Sequence, residues 1–171
     1  VGLKFGLSYG KVNWGIIGSD VKAFYFRGVP IDNCAFCQSL AETQQIVLDG
    51  ALLSQLTDNS LELEPVGDDA YRVVSQIEIT GFPPPLVCDE LTREVALAFL
   101  PEAVVDYKQE GEFRPVVSIF LSFEGIVDHD QLSIFSELVL LQTETFSGYL
   151  KEIDFGDKGG VMTIFFGAPV A

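Results

Sequence analysis

The chain has 171 residues, 48% of them hydrophobic, with 10 Lys and Arg set against 25 Asp and Glu for a formal charge of -15. A mean hydropathy of +0.31 supplies the apolar surface for a packed core and excludes a disordered chain. A pI near 4.2 argues against nucleic acid and anionic membrane surfaces as partners, because their phosphates would be repelled.

Three short strands are predicted first, over Val1–Tyr9, Lys11–Gly18 and Val21–Gly28, each an apolar run bounded by Gly, Asn or Asp. Trp14 is expected in the core, and the glycines of Gly10–Gly18 read as tight turns, since they lack the Gly-Lys-Ser/Thr ending of a phosphate loop. Helical spacing over Pro30–Glu42 puts Ile31, Cys34, Ala35, Gln38 and Ala41 on one stripe, with Pro30 in the first turn. Cys34-x-x-Cys37 has no second ligand pair, and the single histidine, His129, is far away, so buried helix cysteines fit better than zinc. A strand at Gln45–Leu48, a short helix at Ala51–Leu56 and a hairpin of Leu61–Val66 with Tyr71–Ser75 follow.

Gly81-Phe-Pro-Pro-Pro85 sustains neither helix nor central strand and reads as a linker. Helical periodicity returns over Glu90–Leu100, with one more turn at Ala103–Tyr107. Beyond it come a strand at Pro115–Phe123, a helix at Gln131–Phe146 and two strands, Tyr149–Phe155 and Val161–Phe166. The long helix is expected to present Leu132, Phe135, Val139 and Phe146 on one side, beside Ile134, Leu138 and Leu141. Asp128-His129-Asp130 reads as a loop rather than a metal site, since three successive residues rarely converge on one ion. No apolar run reaches the roughly 18 residues that cross a bilayer and no signal sequence is evident, so a cytoplasmic protein is expected. Both ends fall within or beside strand-like patterns, as in a segment of a longer protein.

The closing pattern, F-R-P-V-V-S-I-F-L-S-F-E-G-I from Phe113, a long helix, then G-Y-L-K-E-I-D-F-G-D-K-G-G-V-M-T-I-F-F-G-A-P, resembles the opening half of a class III cyclase homology domain. The opening pattern, V-G-L-K-F-G-L-S-Y-G-K-V-N-W-G-I-I-G-S, then Y-F-R-G-V-P-I-D-N-C-A-F-C-Q-S-L-A-E and Q-Q-I-V-L-D, is similar to the closing half of such a domain. The resemblance is to tandem cyclases of the soluble adenylyl cyclase type. It implies an α+β fold of ferredoxin-like half-domains with antiparallel sheet and flanking helices. Residues 1–80 would close the first domain, 81–111 would form a Pro-rich and helical linker, and 112–171 would open the second. Whether the two halves fold together as a permuted hybrid or as separate, partner-dependent half-domains stays open.

The resemblance also implies chemistry: a parent enzyme that converts ATP to cyclic AMP and pyrophosphate with two Mg or Mn ions. One metal carboxylate belongs at Ser122, which cannot replace it. Asp154 and Asp157 lie near the second carboxylate's place and read as solvated turn residues. The family's transition-state asparagine and arginine fall at Asp32 and Phe36, four residues apart on one helix, and its purine-reading polar residue falls at Tyr25. An aspartate would repel the triphosphate and phenylalanine brings no compensating charge, so these positions imply the degenerate pocket of a pseudo-symmetric pair, with metal ligands outside this segment. The bicarbonate-binding arginine of such pockets matches Ala35, with Arg27 a substitute or a structural residue. Lys158 matches the purine-recognising lysine, or is a turn lysine balancing Glu152, Asp154 and Asp157. The implied partners are ATP and the missing halves of both domains; the alternative is a catalytically dead regulatory or dimerisation module.

Overall fold

A computed structural model of the chain describes residues 2–57, 61–75, 81, 84–88, 90–107, 113–156 and 159–168. In chain order its elements are β1 (Phe5–Leu7), β2 (Asn13–Ile17), β3 (Ala23–Arg27), α1 (Val29–Leu40), β4 (Ile46–Asp49), α2 (Gly50–Leu53), β5 (Leu63–Gly67) and β6 (Ala70–Val73). There follow α3 (Arg93–Phe99), α4 (Glu102–Val105), β7 (Val117–Phe123), α5 (His129–Thr145), β8 (Gly148–Gly156) and β9 (Gly159–Phe166). The fold is α+β, as expected, and forms two compact units: residues 1–13 with 27–87, and residues 14–26 with 88–171. Among the described residues no helix is long and apolar enough to cross a membrane.

In the first unit β1 and β4 pair in parallel, Phe5 opposite Ile46 and Leu7 opposite Leu48, and the sheet runs β1-β4-β6-β5. Parallel neighbours need a crossover, which α1 supplies. Pro30 sits at its first turn, where no backbone donor is lost. Strand β1 lies close on α1 because residue 6 is glycine: a Cβ there would come within 2.3 Å of the Cys34 carbonyl oxygen and the Gln38 nitrogen. Cys37, Ala41, Val47 and Ala70 form the small core, with Leu40 and Val66 against it. The expected α1 stripe is therefore shared: Cys34 meets β1, donating its thiol to the Gly6 carbonyl at 3.1 Å, while Cys37 is the buried position of the helix.

In the second unit β9 is central, in the order β7-β9-β8, antiparallel to both neighbours. Strands β7 and β8 are thus parallel and separated by one strand, with α5 joining them across the sheet. Asp128 starts α5 by accepting a hydrogen bond from the Gln131 amide at 2.8 Å. The core gathers Leu132, Val139 and Leu140 of α5, Ile153, Met162 and Ile164 of the sheet, and Ile17 and Tyr25 of the β2–β3 hairpin. Phe123 bridges Phe135 and Phe155, at centroid distances of 5.1 and 5.6 Å. Helices α3 and α4 are tied by Arg93, which donates to Glu102 at 2.6 Å and Asp106 at 2.9 Å.

Two expectations about faces are corrected. The side of α5 turned to the core holds Leu132, Phe135 and Val139, as expected, together with Ser136, Leu140 and Thr143, whereas Phe146, expected with them, is exposed, as are Ile134, Leu138 and Leu141. Small Ser136 and Thr143 share that side with the apolar Leu132, Val139 and Leu140. Trp14 is 65% exposed, because alternation along β2 sends its neighbours Gly15 and Ile17 inward and its own ring outward against Phe26.

Candidate functional site

Each strand of the second sheet alternates its side chains between two faces. Phe123, Met162, Ile153 and Phe155 point to the α5 side, as their places in or against the core show. Ser122, Val161 and Asp154 face the other way and stand in one row, since Ser122 pairs with Val161 and Val161 with Asp154. Two ladder steps separate Ser122 from Asp154, roughly 10 Å. Phe120, Thr163 and Glu152 form the next row of the same face. Phe120, Glu152, Asp154, Val161 and Thr163 of these rows line a shallow concavity of about 360 Å³, and Ser122 lies outside its lining.

This face is acidic and one-sided. Burial pushes the Asp154 carboxyl above its ordinary range, Glu152 adds to the rise, and Lys151 opposes it. Lys151 is held by Glu152 at 2.6 Å. Opposite them Ser122 brings a hydroxyl and no charge, so the row offers one carboxylate where a two-metal site needs two. No group of three or more His, Cys, Asp or Glu arranged to hold a metal ion occurs among the described residues. Asp157 and Lys158, between the ends of β8 and β9, lie outside the described residues.

Tyr25 is on the α5 side of the sheet, opposite to Ser122. It is 3% exposed, its hydroxyl oxygen is 3.1 Å from Nδ1 of His129, and its ring lies 5.8 Å from that of Phe155. His129 thus belongs to α5 as a partner of Tyr25, where the sequence suggested only a loop. Gly15 makes room for the pair: a Cβ there would sit 3.0 Å from both rings. Tyr25 is a core residue with a satisfied hydroxyl in this arrangement.

In the first unit Asp32 and Phe36 occupy successive turns of α1, with Asp32 half-buried and the Phe36 ring 46% exposed. Ala35 lines an open groove of about 710 Å³ between β1 and α1, where Lys4 is the basic residue among the lining side chains. Arg27, the last residue of β3, is half-buried and engaged with a neighbour.

The strongest polar cluster of this unit escaped the sequence reading. Asp49, 2% exposed, caps α2 by accepting from the Leu52 amide at 2.8 Å. It also accepts from the Ser8 hydroxyl at 2.5 Å and the Asn33 amide at 3.1 Å. Burial alone would push its carboxyl up, but the bonds from Ser8, Leu52, Asn33 and the Tyr9 backbone outweigh it, and the group is held below its ordinary value. With its lone pairs so occupied, Asp49 ties the chain just past β1 to α1, β4 and α2. Its signal was the Asp-Gly-Ala-Leu-Leu run, an N-cap residue just before a helical turn.

Compared with models of known protein families and with curated proteins, the chain has no significant match to any.

Proposed function

We propose that the chain is a segment of a tandem class III nucleotidyl cyclase, closing one cyclase homology domain and opening the next, in a parent that makes cyclic AMP from ATP. The observation that carries the reading is the second unit's β7-α5-β8-β9 path with strand order β7-β9-β8. That order is the one expected of the opening half of a ferredoxin-like sheet, and it falls in the stretch whose motifs, at 113–168, resemble that half-domain. In that fold the next strand adds beside β7, whose outer edge carries no strand among the described residues and whose Val117 and Phe120 are 61% and 70% exposed.

In this reading the segment contributes the degenerate pocket. Ser122 and Asp154 do not make a metal pair, so Mg or Mn would be held by carboxylates outside the segment, and no catalytic step is assigned to Asp32, Phe36, Tyr25 or Ser122. Lys158 would recognise the purine of ATP. The segment alone would be inactive, a cytoplasmic piece completed by the missing halves of its two domains, without affinity for nucleic acid or membrane.

Serine at position 122 and phenylalanine at position 36 also favour a second reading, a cyclase-like regulatory module with no turnover. One experiment separates them. The reading frame extended by about 100 residues on each side is expressed and assayed for cyclic AMP and cyclic GMP with Mg or Mn. Cyclic AMP formation that is lost on Lys158→Ala supports the enzyme, and silence from a folded tandem supports the regulatory module.

A further inference from the structure

We propose that the second unit binds a small hydrophobic cation, an amine carried on an aryl or alkyl body, in the cavity at the C-terminal end of α5. The inference rests on that cavity and is independent of the cyclase reading.

The cavity encloses about 460 Å³, within the range of small-molecule sites. Its walls are Leu97, Leu100 and Pro101 from the α3–α4 turn, Val21 from the β2–β3 hairpin, and Leu140 from α5. The α3 wall is held in place by the Lys22 amide, which donates to the Ala98 carbonyl at 2.8 Å, and by the edge-to-face pair of Phe24 and Phe99. These walls accept an apolar body.

The polar end has one sign. Glu144 lines the cavity from the last turn of α5, where the helix macrodipole already concentrates negative charge. That turn has no basic residue, and Glu144 forms no ion pair among the described residues. Glu102, on the opposite wall, is already held by Arg93. An adjoining cleft shares Val21, Leu140 and Glu144 and adds Asp20 and Glu137, which deepens the negative potential. Thr143 also lines the cavity, is 5% exposed and has no side-chain hydrogen-bond partner among the described residues, so its hydroxyl is available to an ammonium group. A carboxylate ligand would meet the helix end and Glu144 with the wrong sign, and a neutral one would gain nothing from either charge.

Isothermal titration of the 171-residue chain with 3-phenylpropylamine, 3-phenylpropanol and 3-phenylpropionate tests the proposal. The amine is expected to bind, the alcohol to bind more weakly, and the propionate to give no measurable binding. Glu144→Gln, at an exposed position, should weaken the amine about tenfold, the scale of one lost charged hydrogen bond, with the thermal midpoint unchanged. Leu97→Trp, which fills the cavity, should abolish binding while the circular dichroism spectrum is retained. Absence of amine binding, equal affinity for amine and propionate, or amine affinity that survives either substitution in a folded chain would overturn it.

Discussion

The Ser8 hydroxyl donates to the buried carboxylate of Asp49 at 2.5 Å, joining the chain just past β1 to the end of β4 across 41 residues of sequence. Asn33 and the first turn of α2 converge on the same carboxylate. The parallel pair and both helices of the first unit thus share one charged anchor.

Asp49→Ala should therefore cost about 3 kcal/mol, combining a lost helix cap with two charge-assisted bonds whose donors stay buried; urea titration measures it. The sign of the pH dependence follows from the depressed carboxyl. Its folded pKa lies below the ordinary 3.8, so the stabilisation is fully present above that value and is lost as pH falls through the folded value. Urea midpoints taken from about pH 6 to about pH 2.5 should fall at the acid end, and Asp49→Asn should flatten that limb.

Gly6→Ala tests the approach of β1 to α1. The added methyl meets backbone atoms, the Cys34 carbonyl and the Gln38 nitrogen at 2.3 Å, and neither can rotate aside. A loss of about 2–3 kcal/mol is expected, again read as a shift of the urea midpoint. A neutral substitution would mean that β1 does not pack on the helix at this distance.

The two sides of α5 should respond in opposite ways. Leu132→Ala removes a side chain that is 0% exposed and should cost about 2–5 kcal/mol. Leu138→Glu, at a position 59% exposed, should change stability by no more than about 0.5 kcal/mol. Thermal melts of the two variants decide which side of α5 is buried.

That helix also marks where the sequence stops being legible. The period-two runs and the breaks at Gly, Pro and Asp placed all nine strands and five helices of the described chain close to their positions, because those signals are local. Which face turns inward is not local. Ser136 and Thr143 of α5 are buried alongside Leu132, Val139 and Leu140, while Ile134 and Leu138 are exposed, since the side on which the sheet lies, and not hydropathy alone, decides burial. Trp14 was misread for a similar reason: a large apolar ring suggests a core, but the pleat of a two-residue neighbourhood, Gly15 beside it, decides direction. At the candidate site the row of Ser122 and Asp154 needed the β7-β9-β8 register, which no spacing along the chain reveals. Asp49 and its donors, drawn from positions 8, 33 and 52, needed the tertiary fold altogether.

The division of the chain into units has a consequence for taking it apart. The backbone passes between them after residues 13, 26 and 87, so the β2–β3 hairpin is covalently continuous with one unit and a structural member of the other. A cut in the proline-rich stretch near Leu86 does not release two independent pieces: Ile17 and Tyr25 stay on the N-terminal fragment yet belong to the core of the C-terminal one. A polypeptide beginning at residue 88 lacks part of its own interior, Ile17 and Tyr25, until the hairpin is supplied.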